Sequence, residues 1–187
     1  MTSNLPLVFS PCRLQRQDAT QVLAHFIRLS APDRSQRFWG GLVTDDTIAD
    51  YVRHLRFADD FVLGLRHGDT LIGVSHGARY SERGLPALEA AFSIDQPWRG
   101  RGLGTLLMQS LLAVSALDGV HEVVGMCAAR NLRMRRIFEG ADMALTREED
   151  EWHARRRLDC WPRPAESAVM PAIDDSAGNA VPMRAIG

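Results

Sequence analysis

Three glycines separated by single residues, Gly100-Arg101-Gly102-Leu103-Gly104, constrain this chain more than any other stretch. Before them, residues 88–94 alternate apolar positions as a strand does. After them, Thr105-Leu106-Leu107-Met108 opens a long apolar helix. A strand, a glycine turn and a helix N-terminus together make an anion site. The first backbone N–H groups of a helix have no intrahelical partner, and the aligned peptide dipoles put partial positive charge beside them. Glycine lets the main chain approach a phosphate with no Cβ in the way. The expected occupant is a pyrophosphate.

The spacing excludes two common glycine loops. A P-loop ends in Gly-Lys-Ser/Thr, and all 22 basic residues of this chain are arginine. A dinucleotide fingerprint reads G-x-G-x-x-G, but Thr105 stands at the last position. What remains is R-x-x-G-x-G, from Arg99 to Gly104, with a plain glycine-rich turn as the alternative. The absence of lysine reads as a compositional bias.

Composition narrows the partners. With 187 residues the chain is one domain with room for a substantial core. A net charge of −1 and a pI near 6.6 argue against nucleic-acid binding driven by phosphate contacts. No apolar run approaches the ~20 residues of a membrane span, and residues 1–4 do not open a signal peptide. Cys12, Cys127 and Cys160 are odd in number and far apart, which suits a reducing cytoplasm and neither a disulfide framework nor a zinc site. His54, His67, His76, His121 and His153 share no metal spacing, so no metal is expected.

In chain order, residues 7–9 suggest a first strand ended by Pro11 and Cys12. Asp18 can cap a helix carrying Val22, Leu23, Phe26, Ile27 and Leu29. Ser30-Ala31-Pro32-Asp33 breaks it, and residues 34–39 form a further helical turn. Thr44-Asp45-Asp46 starts a helix with Ile48, Tyr51, Val52 and Leu55 on one face. Residues 61–65 and 71–78 read as a hairpin around His67-Gly68-Asp69, and residues 81–86 as a loop. Beyond the glycine helix come a strand at 120–126, a short basic helix at 131–139, and a strand pair at 143–145 and 152–158 joined ambiguously at 146–148. From residue 161 on, the composition of Pro, Ala, Asp, Gly and Ser offers too little apolar surface to offset ordering entropy, so 161–187 is expected to be disordered.

On the strand before the glycines, Leu88, Ala90, Phe92 and Ile94 share one face, leaving Glu89, Ala91 and Ser93 on the other. A carboxylate on a face covered by helices is either a general base or one half of a salt bridge. Further on, Asn131-Leu132-Arg133-Met134-Arg135-Arg136-Ile137-Phe138 begins with a residue suited to cap a helix. Arg130, Arg133, Arg135 and Arg136 form either a phosphate-binding cluster or a solvated helix face.

The R-x-x-G-x-G turn between strand and helix resembles the acyl-CoA-binding motif of the GNAT superfamily of N-acetyltransferases. The Asn131–Phe138 run is similar to the GNAT pattern N-x-x-A-x-x-L-Y at the expected later junction. The register from Glu89 to Gly102 resembles the subgroup that includes bacterial protein-lysine acetyltransferases, as does Ser30 to Gly40 with its Arg37-Phe38-Trp39. The resemblance covers about residues 7–160, taken as one domain. It implies an α+β fold of three layers, with a mixed central sheet of about six to seven strands flanked by helices in the order β-α-α-β-β-β-α-β-α-β-β.

It further implies acetyl-CoA as cosubstrate and a primary amine as acceptor, protein lysine first and small amines second. A non-catalytic acyl-CoA sensor is the rival of another class, and homodimerisation stays open. Glu89 would be the base. Phe92, Ser93 and Ile94 would present main-chain groups to the pantetheine arm in a gap between the fourth and fifth strands. Arg99, Gly100, Arg101, Gly102, Leu103, Gly104 and Thr105 would hold the pyrophosphate, and Asn131 the arm or an ordered water. Arg37, Phe38 and Trp39 would wall the acceptor or pack in the core. Two departures stand out: Phe138 replaces the usual tyrosine acid, and Asp142 sits where a glycine is usual.

Overall fold

A computed structural model describes residues 9–159, and its described residues form a seven-stranded sheet in the order β1-β2-β3-β4-β5-β7-β6. Of the first expected strand only Phe9 is described, and it is unpaired; the expected tail, 161–187, lies outside the described residues. Strand β1 is instead Cys12–Arg13, the two residues that face Gly64 and Leu63 of β2, Phe61–His67. Pro11 has no N–H to give to a ladder, so pairing starts after it.

Helix α1, Ala19–Ile27, does follow Asp18, but that carboxylate does not cap it. It accepts the Gln15 amide at 2.8 Å and pairs with Arg66 at 2.8 Å, closing a 3-10 turn ahead of the helix. Helix α2, Ala31–Phe38, begins where a break was expected. Ser30 caps it by accepting the Asp33 amide, and Pro32 sits in the first turn, where a missing N–H costs nothing. The four residues that read as punctuation are a helix start. Helix α3, Asp45–His54, starts at Thr44 as expected.

Strand β3, Thr70–Glu82, and β4, Leu85–Ile94, are longer than their apolar patterns. Arg83 and Gly84 have φ of 53° and 80°, a two-residue turn that carries the ladder to Glu82 opposite Leu85. The expected loop at 81–86 is therefore mostly strand. Helix α4, Leu103–Leu117, connects β4 to β5, Glu122–Ala128, and α5, Leu132–Gly140, follows. Strands β6, Ala144–Glu148, and β7, Glu151–Arg157, close the sheet, with residues 146–148 inside β6. Asp142 adopts φ 51°, the left-handed conformation its position required.

Two cores sandwich this sheet. On one face, Leu88 and Ala90 of β4 pack with Leu107, Met108 and Leu111 of α4, Val123 of β5 and Phe138 of α5. On the other, Val62 of β2 and Val74 of β3 pack with Val22, Phe26, Phe38, Ile48 and Val52 of α1–α3. The architecture is α+β in three layers.

One pairing breaks the pattern and makes the site. All neighbouring strands are antiparallel except β4 and β5, which pair in parallel only from Ala87–Glu122 to Ala90–Gly125. Beyond Ala90 the two strands part. Residues 91–94 of β4 remain bonded to β3 on one side and face an opening on the other.

Candidate active site

The opening between the strands continues into a cleft of about 680 Å³. Its floor is Glu89–Ile94 of β4 and Met126–Ala128 of β5. Its far end is the glycine turn, and its walls come from α2 and α5. The Asp95 amide donates to Ile72 O at 2.9 Å, so that amide points toward β3. Strand alternation then turns the main-chain groups of Ser93 to β3 and those of Phe92 and Ile94 into the gap. Of the three arm-contacting residues expected, two present backbone to the cleft, and Ser93 presents its side chain to the helix side.

At the glycine turn, Gly100 and Gly102 have φ of 75° and 76°, and a Cβ built on either would meet nothing within 4 Å. These glycines are required by backbone conformation, since L-residues rarely adopt it. Gly104 is different: a Cβ there would lie 2.6 Å from Ile137 Cδ1, so it lets α4 approach α5. The first intrahelical bond of α4 runs from the Leu106 amide to Gly102 O at 2.9 Å. The amides of Leu103, Gly104 and Thr105 precede it and are left over by the helix, at the end of its dipole.

The two arginines of the motif separate. Arg99 lines the cleft, donates Nε to Ile94 O at 2.9 Å and pairs with Asp33 of α2 at 2.9 Å. Arg101 lies over the Trp98 ring, 4.9 Å from its centroid, and is not a lining residue. Asp33 is raised by its burial, but Arg99 and Ser30 bring it below the ordinary carboxylate value. Asn131 caps α5, accepting the Met134 amide at 3.1 Å, and its Nδ2 donates to Gln36 of α2 at 3.0 Å. Arg130, Arg133 and Arg136 line the cleft, whereas Arg135 pairs with Glu139 at 2.8 Å and stacks on Trp152.

Glu89 is half-buried in the floor, opposite Ala78 of β3 and Val124 of β5. The sequence offered Arg37 as acceptor wall or core packing, but it did not reveal that residue's partners. Arg37, 4% exposed, also lines the cleft and sits among the rings of Phe26, Phe38 and Tyr51 at 5.0–5.2 Å. It donates to Tyr51 Oη at 2.9 Å, which lies 2.6 Å from His76 Nδ1; His76 Nε2 is 3.0 Å from Asp60.

Burial raises Tyr51 above the ordinary phenol value, with Arg37 opposing and Asp60 and Glu89 adding to the rise. Burial, helped by Arg37 and Arg56, also lowers His76 despite Asp60. Asp60 itself is raised by burial but lowered overall by His76 and the Arg79 amide. Phe38 is core, while Trp39, at φ 52° just past α2, lines the cleft. His76 drew no role from its spacing because its partners are 16 and 25 residues away.

Sequence spacing gave no sign that the Ser93 side chain belongs to a second set: His25 of α1 bridges Ser93 at 2.8 Å and Asp95 at 3.0 Å. Burial raises Asp95, but His25 and Arg28 hold it below the ordinary value. Phe138, fully buried, packs on Gly125 and not in the cleft. Cys127 touches the cleft, but burial pushes its thiol up to about 11, so it stays protonated at neutral pH.

The acetyltransferase (GNAT) domain family matches residues 7–144, and the chain belongs to that family. The matched span is 138 of the 187 residues and takes in the whole cleft. Acetyltransferase Pat of Mycolicibacterium smegmatis is 26% identical over 134 residues, 71% of this chain and 40% of that protein. The chain thus spans under half the length of that curated relative.

The GNAT domain of S. lividans PAT superposes with TM-score 0.66 at 20% identity, covering 80% of this chain and 89% of that one. Spermidine N-acetyltransferase from Vibrio cholerae, solved with CoA and spermine, superposes with TM-score 0.64 at 15% identity, covering 80% and 95%. Among the described residues no helix is long and apolar enough to cross a membrane.

Proposed function

We propose that this chain moves an acetyl group from acetyl-CoA directly to a primary amine, with Glu89 as general base and a protein lysine as the favoured acceptor. The observation that carries the reading is the arrangement of one cleft. Leftover amides at Leu103–Thr105 stand at one end, gap-facing main chain at Phe92 and Ile94 lies along the floor, and a half-buried carboxylate waits at the other end. Arg99 and the lining arginines of α5 supply positive charge for a phosphorylated ligand. An amine of pKa ~10.4 is mostly protonated at pH 7, and freeing it costs about 4–5 kcal/mol, at 1.36 per pKa unit. A carboxylate held beside the acceptor removes much of that cost.

The lysine preference rests on the resemblance of the Ser30–Gly40 and Glu89–Gly102 segments to protein-lysine acetyltransferases. The fold likeness to a spermidine N-acetyltransferase keeps small polyamines as the second reading. Leaving thiolate needs no tyrosine here, because a CoA thiol is acidic enough to depart unaided (compare Cys at about 8.5).

Release of CoA thiol in the presence of amine and protein acceptors tests the proposal. Glu89→Gln should lower turnover about 100-fold or more while CoA binding measured by calorimetry is retained. Turnover that survives this substitution across the pH range removes Glu89 from the mechanism.

A further inference from the structure

One cleft residue, Ser93, belongs to a set of polar side chains behind the floor that amine transfer leaves unused. Ser93, a lining residue, has its Oγ 2.8 Å from His25 Nε2, and His25 Nδ1 is 3.0 Å from Asp95 Oδ1. His25 is fully buried. The other Asp95 oxygen is held by Arg28 at 2.9 Å. Neither His25 Nδ1 nor Asp95 Oδ1 has another hydrogen-bond partner among the described residues. Their contact is a close ion-pair approach, with the ring N–H off the line to the oxygen.

Packing alone does not call for these residues. A buried imidazole loses its hydration, and an apolar side chain would fill the same place at lower cost. A hydroxyl bonded to an imidazole whose far nitrogen faces a carboxylate is, on any fold, the arrangement that activates a serine. It lies where the main-chain amides of Phe92 and Ile94 face the gap, and such amides can stabilise a tetrahedral oxyanion.

We infer that Ser93, His25 and Asp95 form a second catalytic centre, one that takes the acyl group of acyl-CoA onto the serine and passes it to water. This rests on the acyl-CoA reading of the cleft. Ser93 Oγ bonds to the thioester carbonyl carbon while its proton goes to His25 Nε2. The C–S bond then breaks, and the thiolate of CoA receives that proton. In the second half, water adds to the new ester, His25 takes the water proton, and the ester C–O bond breaks as the proton returns to Ser93 Oγ. The sum is acyl-CoA and water giving a carboxylic acid and CoA.

Ser93 is four residues from Glu89, about 13 Å along the strand. The thioester therefore reaches one group or the other, and a saturating amine should suppress the hydrolysis.

The full chain is incubated with acetyl-CoA and no amine, and two readouts are taken: thiol release, and acetyl on the peptide containing Ser93 after acid quench. Expected are acetyl on Ser93, amine-independent thiol release, or both, falling roughly 100-fold in Ser93→Ala. In Ser93→Cys the acetyl should reappear as a hydroxylamine-labile thioester. Calorimetry with CoA separates the two readings. CoA that binds while wild-type protein shows neither adduct nor amine-independent release overturns this centre and leaves the transfer reading standing. Absence of CoA binding overturns both.

Discussion

Gly102 separates two reasons for a glycine. It precedes α4 with φ 76°, and a Cβ added there touches nothing within 4 Å. Gly102→Ala therefore costs the fold only backbone strain, about 1–2 kcal/mol for an L-residue in the left-handed region. For a chain of this size that lowers Tm by about 2–8 °C, at 2–4 °C per kcal/mol. Gly102 lines the cleft together with Leu103, Gly104 and Thr105, so a methyl added there is expected to stand between an incoming phosphate and its donors. Losing one or two charge-assisted hydrogen bonds, about 1.5–3 kcal/mol each, weakens CoA binding by at least tenfold.

Gly102→Asn distinguishes the causes, because asparagine tolerates the left-handed conformation. Thermal melts should show Gly102→Asn recovering much of the lost stability, while calorimetry should show CoA affinity still reduced. If Gly102→Asn binds CoA as tightly as wild type while Gly102→Ala does not, strain alone explains the loss and close approach of the phosphate is refuted.

Other outcomes follow from the buried groups. Phe138→Tyr should not raise turnover, because position 138 points into the core against Gly125 and the new hydroxyl finds no cleft; a chemical melt should instead show a loss of about 1–3 kcal/mol for the unpaired hydroxyl. Stability should also depend on pH through His76. Its folded pKa lies below 6.5, so the unfolded chain takes up a proton that the fold resists. The stabilisation is complete above 6.5 and declines as pH falls below it, by at most about 1.4 kcal/mol per unit. Asp60, also lowered, adds the same sign of loss further down, below its ordinary value of 3.8. Denaturant titrations at pH 7.5 and 5.5 should show the decline, and a flat profile would contradict the burial of a neutral imidazole.

What was legible in the sequence was local or periodic. Alternation from Leu88 to Ile94 placed Glu89 and Ser93 on one face, and the glycine spacing marked the turn before α4. Errors arose where one residue type serves two purposes. Ser30 and Pro32 end elements in many chains but start α2 here, and Asp18 gives its carboxylate to Gln15 and Arg66 instead of a helix. The pairings among the polar groups around the cleft were hidden for a different reason. His25 meets Ser93 across 68 residues, and Arg37 on α2 meets Tyr51 on α3 across an intervening turn, so no single periodic element contains both partners. Their proximity is a product of sheet register and of α1–α3 lying over the same face.

That register also explains why this place on the sheet became a site. A continuous β4–β5 ladder would use the amides of Phe92 and Ile94 on neighbouring backbone. Instead pairing stops at Ala90 opposite Gly125, and Ile94 O takes the Arg99 guanidinium as its partner. Gap-facing main-chain groups left without a strand are costly in a dry interior, so the parting is tolerated only beside an opening that admits water or a ligand. An extended ligand with an amide-bearing arm can replace the missing strand, and a phosphate at Leu103–Thr105 fixes how far along the floor it lies. On the proposed acyl-CoA reading, the length of β4 between turn and carboxylate would set which atom of the ligand meets Glu89 and which meets Ser93. Selectivity between the proposed transfer and the inferred hydrolysis would then be a matter of register along one strand, and a one-residue change in β4 length should alter both.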